Sequence, residues 1–132
     1  MYRERTYRKL VNTEKLTTFQ VVVQETDLLV HAEKRLVQET RELVLEHRGY
    51  VETYIKACPG FMSTLDPWCH EGPAPNIISD MIKAGARAGV GPMAAIAGAI
   101  AENVGRGILD FTDQVIVENG GDVDADTGGL II

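Results

Sequence analysis

One long stretch with a helical period constrains the fold more than any other feature of the sequence. Between Glu33 and Cys58, mostly apolar residues recur every three or four positions and share one face: Leu36, Thr40, Leu43, Val44, His47, Val51, Tyr54 and Ile55. Charged side chains fall mainly on the other faces, as in a helix that packs with one side on a core. The spacing therefore predicts a long amphipathic helix over residues 33–58, with His47 as a packed, hydrogen-bonded core residue.

Alternating apolar residues on both sides of this helix predict strands. One strand is predicted to begin at Thr18. In it the apolar residues Phe19, Val21 and Val23 alternate with a mixed set of residues, which is typical of an antiparallel sheet covered on one face. The run Glu25-Thr26-Asp27 predicts a bulge or bend before a second extended piece at residues 28–30, which is either a structural kink or part of a site. Further strands are predicted at residues 5–11 and 114–118, and residues 128–132 read either as another strand or as a disordered end.

Two more helices are predicted after the irregular connection at residues 61–73. Pro75 suits the first turn of a helix that ends near Gly89. Gly89-Val90-Gly91-Pro92 then forms a tight link. Residues 93–109 are rich in alanine and glycine, whose small size lets a helix approach its neighbours closely, so we expect this helix to be central.

Length and composition narrow the possible partners. A chain of 132 residues fits one domain, 1–132, and the formal net charge of −6 argues against a nucleic-acid partner held through phosphates. The apolar runs are shorter than the ~20 residues of a membrane span, and the first residues lack the apolar stretch of a secretory signal. We therefore expect a cytoplasmic protein with no membrane partner.

The cysteines are expected to be free thiols. Without an export signal a bridge between Cys58 and Cys69 is disfavoured. Zinc held by Cys58, Cys69 and His70 is disfavoured as well, because adjacent ligands and the lack of a Cys-x-x-Cys pair do not match zinc sites.

Two glycine-bearing segments are the candidate sites. Residues 89–93 place backbone N–H groups at the start of a helix, which suits phosphate or carboxylate oxygens, although a plain link between helices is the alternative. Asn119-Gly120-Gly121-Asp122 offers hard oxygen ligands that suit magnesium, and a hairpin turn is the alternative there. A ligand shared by both segments would require them to lie near each other on one rim of the domain.

Four segments carry a resemblance to a known family. Glu25-Thr26-Asp27-Leu28, Ala74-Pro75-Asn76-Ile77-Ile78, Gly89-Val90-Gly91-Pro92-Met93-Ala94-Ala95 and Val117-Glu118-Asn119-Gly120-Gly121-Asp122 occur in family order over about residues 3–122. Together they resemble an uncharacterised ApbE-like family, distantly related to FAD:protein FMN transferases. The resemblance implies an α+β, T-fold-like arrangement in which an antiparallel sheet packs against helices.

The resemblance also implies a ligand and a site. A flavin nucleotide such as FAD would bind through Gly89, Gly91, Met93, Asn119, Gly120 and Gly121, and magnesium through Asp122. Flavin transfer is the implied reaction, while a non-catalytic small-ligand-binding or oligomeric module that retains the fold is the alternative. The residues do not decide whether the chain is an enzyme, because Ala125-Asp126-Thr127 matches the later transferase motif only superficially. Family members extend further, so the resemblance implies either a domain truncated relative to its family, a short family member, or a binding domain that has lost the chemistry.

Association of the chain with itself, or with a continuation of the kind that its family carries, is the last expectation. The predicted strands are few for the amount of helix, and the apolar end Leu130-Ile131-Ile132 argues for an edge that is covered or paired. T-fold relatives join sheets between subunits, so the resemblance implies a homo-oligomer too.

Overall fold

The computed structural model describes residues 16–69 and 72–119, and the backbone of residues 129–131. The elements in chain order are β1 Thr17–Val23, β2 Thr26–Ala32, α1 Val37–Ala57, the short α2 Gly60–Ser63, α3 Asn76–Ala88, a 3-10 turn Pro92–Ala95, α4 Ile96–Ile108, β3 Val115–Asn119 and β4 Gly129–Ile131. This mixture of helices and strands confirms the predicted α+β class. The strand predicted at residues 5–11 lies outside the described residues.

The strands form one antiparallel sheet in the order β1-β2-β3-β4. One face is buried against the helices and carries Phe19, Val21, Leu28, Val30, Val115 and Val117. The opposite face is mixed: the His31 ring lies within hydrogen-bond distance of both Thr18 and Glu118. The predicted alternation in β1 is therefore confirmed, because one side of its pleat meets the helices.

Of the predicted bulge or bend at residues 25–27, the structure shows a sharp turn at residues 24 and 25, with β1 and β2 in continuous register beside it. Val23 pairs with Thr26 and Val22 with Asp27, so β1 and β2 form a hairpin whose turn contains only Gln24 and Glu25. Gln24 has a positive φ of 52°, a conformation that usually favours glycine or asparagine. The turn was missed because Gln24-Glu25 lacks the Asn-Gly or Asp-Gly sequence that marks such hairpins.

The long helix α1 is confirmed and packs through the predicted stripe. Val44 and Val51 are buried, and Leu43, Tyr54 and Ile55 pack partly buried against the same core. Burial of such side chains contributes about 1.5–3 kcal/mol each when it is complete. This stripe lies against β1 and α4, so it joins the sheet to the second half of the chain.

The small residues of α4 allow close packing, as predicted. Ala99, Ala101 and Gly105 are buried, and the helix contacts α1, α3 and β3. A Cβ atom at Gly107 would lie 2.6 Å from Leu43 Cδ2, so a larger residue there would require the Leu43 side chain to shift where α4 meets α1. The helix differs from the prediction only at its start, because Pro92 begins a 3-10 turn rather than the α-helix itself.

The connection predicted to be irregular from residue 61 to residue 73 begins within a short helix, α2. Its Phe61 is buried and makes edge-to-face contacts with Tyr54 and Trp68. Cys58 and Cys69 are free thiols. Within the described residues no single helix meets the length and hydropathy needed to cross a bilayer, whereas the segments Asn76–Ala88 and Pro92–Ile108 meet them only together, across a bend of 107°.

Candidate functional site

An open cavity of about 760 Å³ lies between the β1–β2 turn, α1, α2, the start of α4 and the end of β3. Its walls come from segments far apart in sequence, and one end is polar while the rest is apolar. The lining residues are Gln24, Glu25, Thr26, Arg48, Val51, Glu52, Ile55, Met62, Met93, Ile96, Ala97, Ile100 and Asn119. Ligand sites typically have this size and combine an apolar surface with a few polar groups.

The apolar part of the cavity is built by helices. Val51 and Ile100 are buried at its base, and Ile55, Met93 and Ile96 are partly buried members of the core. Met62 stands at the edge with 60% of its surface exposed. Unbranched methionines adapt to ligands of different shape, so this wall can accept a flat apolar group without repacking the core.

Arg48 dominates the polar end. Its Nη1 donates to Thr26 Oγ1 at 2.7 Å, and its Nη2 donates to Gln24 Oε1 at 2.8 Å and to Glu25 Oε1 at 2.9 Å. Only 15% of the Arg48 side chain is exposed. The guanidinium therefore ties α1 to the β1–β2 turn and holds a sheltered positive charge at the cavity wall.

Two carboxylates flank this arginine. Glu25 is 85% exposed, and Glu52, whose Oε2 lies 3.8 Å from Arg48 Nη2, is 59% exposed. A backbone hydrogen bond and then Arg48 hold the pKa of Glu25 below its usual value, so Glu25 is ionised at neutral pH. Because both carboxylates are solvated, their attraction to Arg48 is screened.

Asn119 joins the sheet to α4 beside the cavity. It ends β3, is buried, and donates from Nδ2 to the Ala97 carbonyl at 3.3 Å. Its pairing partner in β2 is Leu28, two residues beyond Thr26, which lines the cavity as well. This register brings the end of β3 to the same end of the sheet as the β1–β2 turn.

The structure brings together two of the predicted site residues. Met93 and Asn119 both line the cavity, one from each candidate segment. Gly120, Gly121 and Asp122 lie outside the described residues. In the described parts of the chain, no three His, Cys, Asp or Glu side chains come together as a group able to hold a metal ion.

The other two predicted residues within the described structure, Gly89 and Gly91, lie in the link between α3 and the 3-10 turn and are not among the lining residues of the cavity. Gly89 is exposed and ends α3 with a φ of 72°, the left-handed conformation common after a helix. Gly91 is buried, and a Cβ atom there would clash with the Thr64 carbonyl oxygen. Backbone conformation therefore accounts for Gly89 and close packing for Gly91, as in the alternative of a plain link between helices.

Sequence reasoning missed Arg48 and Glu52 as site residues. A signal for Arg48 was present: it falls four residues after Val44 and three before Val51, so it shares the apolar stripe of α1. A charged residue on such a stripe needs a polar partner. The partner, the β1–β2 turn, could not be identified from the helix alone.

A second, more polar cavity of about 510 Å³ lies between α1 and the start of α3, lined by Glu46, His47, Tyr50, Ala74, Pro75, Asn76, Ile77 and Asn103. His47 Nδ1 is buried there without a hydrogen-bond partner in the described structure. The prediction of a packed histidine holds, but that of full hydrogen bonding is wrong at this atom. Burial lowers the pKa of His47, and this effect is larger than the opposing effect of the nearby Glu46 carboxylate. The hydrogen bond from the Tyr50 hydroxyl to Glu46 raises the pKa of Tyr50.

These observations define an α+β domain with an open, amphipathic cavity at one end of its sheet. The family described as AbpE bacteria matches residues 8–128. The chain belongs to that family.

Relatives from methanogenic archaea have a similar sequence. The UPF0280 protein of Methanosarcina acetivorans is 39% identical over 89 residues, which are 66% of this chain and 35% of the relative. The UPF0280 proteins of Methanocaldococcus jannaschii and Methanopyrus kandleri are 36% identical over 104 residues and 38% identical over 107 residues, covering 78% and 80% of this chain and 42% and 43% of the relatives. The chain thus spans about two fifths of the length of the curated relatives it matches.

Proposed function

We propose that the chain binds a small amphipathic ligand in the cavity beside Arg48. The observation that carries this proposal is the meeting of an apolar wall with the polar groups of Arg48, Thr26 and Asn119 in one open space of about 760 Å³. The apolar wall would bury a flat ring system, and the polar groups would fix its orientation. Met93 and Asn119 belong to the two segments that the sequence singled out, which supports the same location.

A flavin nucleotide is the ligand we propose to test first. The sequence resemblance to relatives of the flavin transferases favours it, and the cavity suits a flat ring with a polar edge. Magnesium, which prefers hard oxygen ligands, is proposed to bind through Asp122, a residue outside the described part of the chain. Bound magnesium would offset the negative charge of a phosphate group on the ligand.

The proposed function is binding, and flavin transfer is a separate question. The hydroxyl among the described lining residues belongs to Thr26, which accepts a hydrogen bond from Arg48. The alternative of a non-catalytic module is therefore compatible with the same cavity. Incubation of the protein with FAD, magnesium and threonine-bearing peptides, followed by mass spectrometry, distinguishes transfer from binding alone.

Titration of the protein with riboflavin, FMN and FAD, with and without magnesium, tests the proposed binding through flavin fluorescence. Ala97→Phe places a large side chain in the cavity and should abolish saturable binding. Ala86→Phe is the matched control, because Ala86 lies on the exposed face of α3 away from the cavity. Failure of all three flavins to bind would remove the flavin assignment, and unchanged binding by Ala97→Phe would place the ligand elsewhere.

Oligomerisation and the T-fold-like topology are further proposals. Unpaired strand edges tend to be covered, and the longer relatives have additional sequence that could cover them. Light scattering at several concentrations tests association of this chain with itself. A monomer at all concentrations would contradict the homo-oligomer and favour coverage by sequence beyond this chain.

A further inference from the structure

The hydrogen bonds of Arg48 divide into a fixed set and an exchangeable set. Nη1 is held by Thr26, whose side chain is buried in β2. Nη2 faces three side-chain oxygens, from Gln24 and Glu25 at 2.8 and 2.9 Å and from Glu52 at 3.8 Å. Because one guanidinium nitrogen has two hydrogens, these three acceptors compete for it. One side of Arg48 is therefore anchored while the other can change partners.

Glu25 is the acceptor best placed to leave. Its side chain is 85% exposed, so water can solvate the carboxylate as soon as it separates from Arg48. Exposed ion pairs of this kind contribute little to stability. After that separation Arg48 keeps its hydrogen bonds to Thr26 and Gln24, while one hydrogen of Nη2 loses its acceptor. Because the side chain is largely sheltered, this hydrogen needs a new acceptor, which is either Glu52 or a group that enters the cavity.

We propose that Arg48 selects ligands that carry an anionic group, and that this group takes the position of the Glu25 carboxylate on Nη2. The ligand class is then an amphipathic anion, with a carboxylate, phosphate or sulfonate joined to a flat apolar body. The apolar wall from Val51 to Ile96 receives the body, and the guanidinium fork receives the anion. This inference rests on the proposed binding function and specifies its ligand chemistry.

The two neighbouring carboxylates could instead favour a cationic ligand. Their charges are exposed to water, whereas the charge of Arg48 is sheltered and is screened less by solvent and salt. At the cavity wall the positive charge of Arg48 therefore acts more strongly on a bound ligand than the negative charges of Glu25 and Glu52. A cation would also leave Arg48 with its present partners and would gain no hydrogen bond from it.

A pair of fluorescent probes with the same aromatic body tests this selection. Anilinonaphthalene sulfonate carries an anionic group, and phenylnaphthylamine is the same molecule without it. Arg48→Gln should weaken sulfonate binding by about tenfold or more, as expected for loss of a charge-assisted hydrogen bond, and should change phenylnaphthylamine binding less than about twofold. Arg48→Lys keeps the charge without the fork and should give an intermediate loss if Arg48→Gln does not fold.

The Glu25→Gln variant provides the sharpest test, because it removes the competitor. We expect about two- to fivefold tighter sulfonate binding, with no change for phenylnaphthylamine. Glu42→Gln, which changes the same charge on the exposed face of α1 outside the cavity, is the matched control and should change neither probe. Equal effects of the Arg48 variants on both probes, or weaker sulfonate binding by Glu25→Gln, would overturn the inference.

The outcomes separate this inference from the proposed function. If Ala97→Phe blocks both probes but the Arg48 variants do not distinguish them, the cavity binds ligands and Arg48 does not select anions. If Ala97→Phe leaves both probes bound, the probes occupy another surface and the proposed binding site fails as well.

Discussion

Two ends of one segment, residues 85–97, contrast in how they use small residues. At the first end, Gly85 and Gly91 bring backbones into contact: a Cβ atom at Gly85 would lie 2.8 Å from the Val90 carbonyl oxygen. At the second end, Ala97 lines an open cavity. Small residues therefore mark close packing in one place and available space in the other, and substitutions can separate the two cases.

The largest expected effect is at the packed joint. Gly91→Ala should lower the free energy of unfolding by about 3 kcal/mol, because the added Cβ atom would meet the Thr64 backbone, which cannot move aside as a flexible side chain could. Gly98→Ala is the control, since a Cβ atom there has no neighbour within 4 Å, and it should stabilise α4 by about 0.5–1 kcal/mol. Urea denaturation followed by circular dichroism measures both, and equal stabilities of the two variants would contradict the packing role of Gly91.

Enlarging alanines on α4 compares the core with the cavity directly. Ala101→Leu should destabilise the protein by about 2 kcal/mol, because Ala101 is buried in the close-packed core. Ala97→Leu should change the stability by less than about 0.5 kcal/mol, because its side chain would enter open space. Thermal or urea unfolding checks both variants. A large loss for Ala97→Leu would mean that the cavity closes in solution.

A smaller effect is expected where Arg48 ties α1 to the hairpin turn. Arg48→Gln should lower the free energy of unfolding by about 1 kcal/mol, because it removes the hydrogen bonds to Thr26, Gln24 and Glu25. Only the bond to Thr26 is partly buried. Arg41→Gln, on the same helix, loses one exposed bond to the Val22 carbonyl and should cost less than about 0.5 kcal/mol. Chemical denaturation of the two variants measures the difference between their free energies of unfolding. Equal values would show that the Arg48 contacts do not persist in solution.

The smallest effect concerns the second cavity and depends on pH. The pKa of His47 is lowered by burial, so below about pH 6.5 the unfolded chain takes up a proton that the folded protein resists. Stability should therefore fall as the pH drops below this value, and His47→Gln should remove that part of the fall. Denaturation at pH 7 and at about pH 5.5 measures the effect. Identical pH dependence of wild type and variant would show that His47 is not sheltered in the folded protein.

Local patterns predicted the elements but not the hairpin. The stripe of α1 gave a helix at residues 33–58 where the structure has residues 37–57, and the alternation of Phe19 and Val21 gave β1. The Gln24-Glu25 turn escaped prediction because its positive φ is supported by pairing of β1 with β2 and by Arg48 from another element. Support of that kind has no local sequence signal.

The sequence by itself determined the positions of the longer helices and of β1 and β3, their apolar faces, and Met93 and Asn119 as candidate site residues, because helical and strand periods are local properties of the chain. Only the tertiary structure decided that Gly91 packs on Thr64 while Met93, Asn119 and Arg48 meet at one cavity. The pairing of β2 with both β1 and β3 brings residues 24–26 and 119 to the same end of the sheet, and α1 and α4 then close over them. Such contacts depend on long-range packing, which the spacing of residues along a single element does not encode.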